Sequence, residues 1–109
     1  IEAAALCKMA ERGQITGAWI DGPLAFDNAI NPEAAAIKGI TGPVAGHGQI
    51  LVVPDLEAGN MLGKSMTYFA GFTSAHVTVG ALKPVLVHSR ADDGRTKLMS
   101  IALGIVAYY

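Results

Sequence analysis

The sequence predicts an α/β fold, and three features indicate this class. Stretches in which apolar residues recur at helical spacing alternate with short apolar runs rich in β-branched residues. Turn-forming combinations of Gly, Pro and Asp separate several of these segments. Two of the short runs lead directly into a helical stretch, as strands do in proteins that alternate strands and helices. A length of 109 residues allows one domain.

The chain begins with a predicted helix over residues 1–12. Its apolar side chains share one face, charged side chains cover the other, and Gly13 ends it. A short extended segment at residues 18–20 then reaches a turn signalled by an Asp-Gly-Pro sequence. A short helix should follow from Pro32 to Lys38, because Pro suits the first position of a helix.

The middle of the chain contains the clearest strand signal, the β-branched run at residues 50–53, which Pro54 ends. An uninterrupted apolar run of this kind predicts a strand that is buried on both faces. A helix should follow over about residues 56–70, because Asp55 is a good N-cap and Gly71 a good C-terminal stop.

The last third has two more strand signals, at residues 77–79 and 85–87, and a final helix that starts near Asp93. The first turn of this helix is polar, whereas large apolar side chains cover most of the remaining circumference. These side chains are Leu98, Met99, Ile101, Leu103, Ile105 and Val106. Such a pattern predicts a helix that is buried on nearly all sides.

Composition indicates that the chain contacts other protein. Charged residues are 16% of the sequence, against about 25% in an average domain. A short chain has a high surface-to-volume ratio and should be more polar than average. We therefore infer that part of its apolar surface is covered by the rest of its own chain or by a second subunit.

Charge, hydropathy and cysteine content exclude several functions. The net charge is -1 and no basic cluster exceeds two residues, so neither nucleic-acid nor membrane-surface binding has electrostatic support. No apolar run reaches the length of a membrane span. The lone Cys7 excludes an internal disulfide and a multi-cysteine metal site, which fits a cytosolic protein.

The first candidate site is a polar stripe on the helix predicted at residues 56–70. Asn60, Lys64 and Thr67 fall at spacings of four and three, so they share one face. Gly59 and Gly63 lie beside them, and glycine within a helix indicates close approach by another element or a ligand. The alternative is a tightly packed helix on which the Lys and Asn are merely solvated.

The second candidate site is the junction between the strand at residues 85–87 and the last helix. Ser89 and Arg90 leave a buried strand there, and a hydroxyl, a guanidinium and free backbone N–H groups make a good anion site. In the alternative, Ser89 only ends the strand, Asp92 or Asp93 caps the helix, and Arg90 pairs with one of these carboxylates.

The remaining polar clusters give weaker signals. Asp27 and Asn28 follow a Gly-Pro turn, and we interpret them as ordinary turn residues. His47, His76 and His88 have no metal-ligand spacing. Although His88 precedes a serine, adjacent residues of a strand point to opposite faces, which argues against a nucleophile pair.

Three strings together resemble the phosphate acetyl/butyryltransferase family, and most closely its butyryltransferase-like branch. They are ITGAWIDGPLAFDNAI, VVPDLEAGNMLGKSMTYFAG and KPVLVHSRADDGRTKLMSIAL. The resemblance implies a three-layer α/β/α architecture, as the C-terminal part of an isocitrate/isopropylmalate dehydrogenase-like fold with its active site between two lobes. Residues 1–109 would then be the C-terminal portion of a phosphate acyltransferase domain, inactive alone because half of the cleft is absent.

The resemblance also implies a reaction: acyl-CoA and inorganic phosphate give acyl phosphate and coenzyme A. In the reverse direction, the coenzyme A thiolate attacks the acyl phosphate carbonyl directly. No metal or bound cofactor is implied, because coenzyme A is a substrate. A homo-oligomer in the cytoplasm is expected, with acyl-CoA, phosphate and the remainder of the chain as partners.

Site residues follow from the same resemblance. Ser89 and Arg90 match the family's Ser-Arg pair, so Ser89 would hydrogen-bond the reacting carbonyl or phosphate and Arg90 would hold phosphate or coenzyme A. The segment that contains Asp55, Asn60 and Lys64 matches one that lines the cleft. In the acetyltransferase branch an Asp seven residues after the Ser is the candidate base, but this chain has Thr96 there.

Two other functions remain open. One is a non-catalytic, acyl-CoA-binding regulatory domain of a fused enzyme, which the missing base would favour. The other is a dehydrogenase of the same fold, although the sequence has no G-x-G-x-x-G string.

Overall fold

The computed structural model describes residues 1–108, which contain five helices and one isolated antiparallel bridge. The chain divides into two compact units, the first over Ile1–Val52 and the second beginning at Val53. The helices are α1 (Glu2–Glu11), α2 (Phe26–Ile30), α3 (Pro32–Ile37), α4 (Leu56–Tyr68) and α5 (Gly94–Tyr108). None of these helices in residues 1–108 combines the length and the hydropathy that crossing a bilayer requires.

The first unit is built from α1, α2, α3 and the loops that follow them. Gly13 follows α1 at a φ of 72°, as expected for a residue that ends a helix. Asn31 caps α3, because its Oδ1 accepts the backbone N–H groups of Glu33 at 2.9 Å and Ala34 at 3.1 Å. Pro32 takes the first helical position, so the prediction of a helix from this residue is confirmed.

The short helix α2 contradicts the interpretation of Asp27 and Asn28 as turn residues. Both lie within the helix, and Asn28 is buried. The Asp27 carboxylate pairs with Lys38 Nζ at 2.7 Å, and this hydrogen bond, as the largest cause, lowers the pKa of Asp27. A five-residue helix has too few residues to show the apolar periodicity on which the prediction depended.

The second unit contains α4, α5 and the segment that joins them. Asp55 caps α4, because its Oδ1 accepts the Ala58 N–H at 2.7 Å, which confirms the predicted cap. The joining segment lies against one face of α5. There His76 N–H donates to Ser100 Oγ at 2.8 Å, and a side chain at Gly104 would lie 3.2 Å from Pro84. Ser100 and Gly104, two small residues four positions apart, therefore lie on the face of α5 that this segment covers.

The prediction that α5 is buried on nearly all sides is wrong for the described chain. Only Ser100 and Gly104 of this helix are buried, whereas Leu98 is 65% exposed and Val106 80% exposed. Burial needs a second element against each face, and the described residues supply one only along the stripe of small residues.

The predicted strands and the three-layer α/β/α architecture are not formed by the described residues. Ile50 and Val52 are each 83% exposed rather than buried, and residues 18–20 and 50–53 belong to no strand. Of the two strands predicted at residues 77–79 and 85–87, only a single antiparallel bridge between Thr78 and Val85 is formed. A β-branched run forms a strand only when a neighbouring segment pairs with its backbone. Within residues 1–108, no segment pairs in this way with residues 50–53.

Asp93, the residue before α5, should make stability depend on acid pH. Its Oδ1 accepts the Thr96 N–H at 2.8 Å, and this hydrogen bond is the main cause that lowers its pKa. A carboxyl whose folded-state pKa is lowered stabilises the fold above its unfolded pKa and loses this contribution as the pH falls through the folded value. In thermal unfolding from about pH 6 to about pH 3, the melting temperature of wild type should fall more than that of Asp93→Asn.

Asn at this position can still cap the helix, so Asp93→Asn removes the titration without removing the hydrogen bond. Glu57→Gln changes an exposed carboxylate with no hydrogen bond in the described structure, and it serves as the control. An Asp93→Asn profile that ran parallel to wild type over this range would contradict the prediction.

Candidate functional site

A tight turn at residues 89–92 joins the apolar segment before it to α5. Ser89 N–H donates to Asp92 Oδ2 at 2.9 Å, and Asp92 N–H donates back to the Ser89 carbonyl at 3.1 Å. Ala91 N–H donates to Ser89 Oγ at 3.3 Å. Asp and Ser form such turns because their short side chains reach neighbouring backbone N–H groups. The turn therefore fixes the position of the Ser89 hydroxyl.

Arg90 projects from this turn. Its side chain is exposed, and no carboxylate of residues 1–108 lies within 4.0 Å of its guanidinium. Asp93 caps α5 and Asp92 closes the turn, so the alternative in which Arg90 pairs with one of them does not hold in this structure. A guanidinium that no acid neutralises can bind an anion.

His76 approaches the same turn from the joining segment. Its Nε2 lies 3.9 Å from Asp92 Oδ2, and the Asp92 side chain is only 11% exposed. The backbone of His76 is held by Ser100, which is fully buried and whose hydroxyl also donates to the Thr96 carbonyl at 2.8 Å. These hydrogen bonds connect His76 to the first turns of α5, and the imidazole lies near Asp92 of the turn.

An open cavity of about 460 Å³ lies beside His76 in the second unit. The residues that line it are Gly63, Met66, Thr67, Phe72, Thr73, Ser74, Ala75 and His76. Gly63 has open space where a Cβ would be, so the absence of its side chain leaves room in the cavity. Hydroxyls and an imidazole on an otherwise apolar wall suit a ligand with both polar and apolar parts.

The predicted site residues of α4 do not line this cavity. Asn60 is exposed, Lys64 Nζ lies 5.6 Å from the centroid of the Tyr68 ring, and Asp55 uses Oδ1 as a cap. Thr67, which was predicted on the same polar stripe, does line it. The close approach predicted at Gly59 is made by Val53, whose Cγ2 would lie 2.9 Å from an added Cβ.

The structure thus brings Ser89, Asp92 and His76 together and leaves Asp55, Asn60 and Lys64 apart from them. Arg90 shares the turn but does not line the cavity. Sequence reasoning missed His76 and Asp92, because a separation of sixteen residues across a loop carries no periodic signal. Thr96 supplies its backbone N–H to Asp93 and its carbonyl to Ser100, and its side chain has no group that accepts a proton readily.

A second depression, of about 390 Å³, lies in the first unit and is lined by residues that include Cys7, Trp19 and Asp21. Cys7 Sγ lies 3.4 Å from the Gly22 carbonyl, to which it can donate. Asp21 Oδ1 accepts the Gly22 N–H at 2.8 Å. Cys7 of α1 therefore already has a partner in the loop at Gly22, and Asp21 has one within that same loop.

The chain matches one protein-family model and several curated relatives. The family model described as phosphate acetyl/butaryl transferase matches residues 2–105. A phosphate acetyltransferase of Rhizobium meliloti is 65% identical over 103 residues, which are 94% of this chain and 33% of that protein. A probable phosphate butyryltransferase of Bacillus subtilis is 54% identical over 107 residues, which are 98% of this chain and 36% of that protein.

A solved structure is similar as well. The crystal structure of a branched-chain phosphotransacylase from Enterococcus faecalis V583 matches with a TM-score of 0.81 and 34% sequence identity. The match covers 97% of this chain and 40% of that one. The chain spans about a third of the length of the curated relatives it matches.

Proposed function

The chain belongs to the phosphate acetyl/butyryltransferase family, and from this premise we propose that the protein containing it transfers an acyl group between coenzyme A and inorganic phosphate. The observation that carries the proposal is the exposed Arg90, which no acid of the described residues neutralises and which projects from a turn fixed by Ser89 and Asp92. An anionic substrate is the partner that such a guanidinium suits.

The proposed mechanism is a direct transfer without a covalent intermediate on the protein. The thiolate of coenzyme A attacks the carbonyl carbon of the acyl phosphate, a C–S bond forms, and phosphate leaves with the electron pair of the C–O bond. Catalysis then requires orientation of two substrates, a proton acceptor for the thiol, and hydrogen bonds to the developing oxyanion.

Ser89 and Arg90 are assigned the substrate contacts in this mechanism. Ser89 Oγ already accepts the Ala91 N–H, but its own O–H remains available to donate to a carbonyl or phosphate oxygen. Arg90 can donate two parallel N–H groups to two oxygens of one phosphate. Both contacts strengthen as negative charge develops on the reacting oxygens, which is the condition for catalysis.

The polar face of α4 is proposed as a further substrate contact. Lys64 presents a cation over Tyr68, and Asn60 is exposed one turn before it, so both side chains are accessible to a substrate. Asp55 contributes mainly by holding the first turn of α4, because its Oδ1 accepts the Ala58 N–H.

The remaining proposals concern the context of this chain. Catalysis requires the rest of the protein, because the chain spans only about a third of its relatives and the segment alone is expected to be inactive. The exposed apolar side chains of α5 support coverage by other protein, either the remaining chain or a second subunit of a homo-oligomer. A cytoplasmic location is proposed from the lone cysteine.

The experiment is an assay of thiol release by the full-length protein. Acetyl-CoA, butyryl-CoA and a branched acyl-CoA are each incubated with the protein, with and without inorganic phosphate. Release of free thiol that depends on phosphate is expected for at least one of them. Acyl-CoA binding without release would instead indicate the non-catalytic regulatory domain.

A further inference from the structure

The proposed transfer needs a group that accepts the proton of the coenzyme A thiol, and neither the Ser89 hydroxyl nor the Arg90 guanidinium is such a group. A thiolate is a far better nucleophile than a thiol, so this proton acceptor affects the rate directly. Among the described residues that line the cavity of the second unit, His76 is the one whose side chain has a ring nitrogen that can accept a proton.

Three contacts place the imidazole of His76 at the edge of this cavity. Its backbone N–H is bonded to the fully buried Ser100 hydroxyl, which fixes the start of the side chain. Its Nε2 is 3.9 Å from Asp92 Oδ2, and its side chain is 46% exposed and so accessible to a substrate. Asp92 in turn holds the N–H of Ser89, the residue assigned to the reacting carbonyl.

We propose that His76 is the general base of the acyl transfer and that Asp92 is its positioning residue; this proposal rests on the proposed function. Nε2 or Nδ1 of the neutral imidazole takes the proton of the coenzyme A S–H bond as sulfur bonds to the acyl carbon. The C–O bond to phosphate breaks, and its electron pair leaves on phosphate. The proton on His76 then passes to phosphate or solvent, which restores the neutral imidazole.

The separation of 3.9 Å between His76 and Asp92 fits this role. It is too long for a hydrogen bond, but it lies within the distance of an ion pair once the imidazole carries a proton. The attraction between His76 and Asp92 therefore arises mainly after the imidazole has taken a proton. This charged state forms during the reaction, and a catalyst must stabilise it. Among residues 1–108, no carboxylate other than that of Asp92 lies within 4.0 Å of the His76 imidazole.

The first test is the kinetics of the full-length His76→Gln variant. General bases typically contribute about 100-fold or more. In the direction that consumes coenzyme A and acyl phosphate, kcat should therefore fall by at least about 100-fold while KM for acyl phosphate changes little. His47→Gln, which alters an exposed histidine in the first unit, should leave kcat unchanged.

The second test separates the charge of Asp92 from its role in the turn. Asn keeps an oxygen that can accept the Ser89 N–H, so Asp92→Asn should preserve the turn and remove only the charge. A fall in kcat of about 10-fold in the same direction, with KM for acyl phosphate unchanged, is expected. A His76→Ala variant whose activity is restored by added imidazole would support the same assignment and also show that the variant is folded.

The possible results distinguish the two proposals. If wild type shows no phosphate-dependent thiol release, the proposed function itself fails. If wild type is active and His76→Gln keeps its rate within about threefold, the assignment of His76 is wrong although the function stands. If added imidazole fails to restore a His76→Ala variant that unfolds at the wild-type temperature, the base assignment is likewise overturned.

Discussion

Replacement of Arg90 with Ala in the full-length protein is expected to lower kcat/KM for phosphate by at least about 10-fold. A hydrogen bond to a charged group contributes about 1.5–3 kcal/mol, and about 1.4 kcal/mol corresponds to a factor of ten. The guanidinium has no acidic partner among the described residues, so its removal should cost binding of phosphate rather than stability. Initial rates over a range of phosphate concentrations measure this effect.

Two variants refine this prediction. Arg90→Lys keeps the positive charge but loses the planar pair of N–H donors, so it should restore only part of the activity. Arg12→Ala removes an exposed arginine from the end of α1 and should leave the kinetics unchanged. Wild-type kinetics in Arg90→Ala would show that this guanidinium does not bind phosphate.

The largest effect on stability is expected for Gly46→Ala in the first unit. An added Cβ would lie 2.5 Å from Pro32 Cα and 2.8 Å from Pro32 N, and both of these are backbone atoms. Gly46 also has a φ of +82°, a conformation that other residues rarely adopt. Left-handed backbone and overpacking together should cost about 2–5 kcal/mol, which thermal unfolding of the full-length protein measures.

The close approach at Gly46 has a structural origin. Its N–H donates to the Asn28 carbonyl at 2.7 Å, which ties this loop to the end of α2 where Pro32 begins α3. Gly39→Ala is a matched control, because Gly39 has a φ of +68° but nothing lies within 4 Å of its added Cβ. It should cost only the backbone strain of about 1–2 kcal/mol. Equal destabilisation by the two variants would show that the contact with Pro32 is unimportant.

The helices were predictable because their signals are local. A cap, a proline at the first position or a glycine after the last turn acts within a few residues, so α1, α3 and α4 begin and end close to the predicted positions. The capping hydrogen bonds of Asn31 and Asp55 show the physical basis directly. The short α2 was missed because five residues are too few to show helical periodicity.

The strands could not be predicted on the same basis. A strand depends on backbone pairing with a second segment, which is often distant in sequence. The run at residues 50–53 has no such partner among the described residues. The apolar pattern of α5 likewise predicted burial, but only a covering element makes an apolar side chain buried. The residue types of both segments favour the predicted strand and the predicted buried helix. Pairing and burial also need neighbouring elements, and within residues 1–108 these are missing for residues 50–53 and for most of the surface of α5.

The candidate site was predictable in part. The position of Ser89 and Arg90 before the last helix follows from the order of the apolar run and the polar turn, and the structure places them on a fixed turn there. The approach of His76 to Asp92 depends on how the joining segment lies against Ser100, which no sequence pattern specifies. The sequence therefore predicts Ser89 and Arg90 as site residues, but it does not predict that His76 lies near Asp92.

The central claim is most directly tested by measuring the product that accepts the acyl group. The full-length protein is supplied with acyl-CoA and phosphate, acyl phosphate is trapped with hydroxylamine as the hydroxamate, and its amount is compared with the free thiol released. We expect one molecule of acyl phosphate for each thiol. Release of thiol without any acyl phosphate would mean that water rather than phosphate receives the acyl group, and would contradict the proposed transfer.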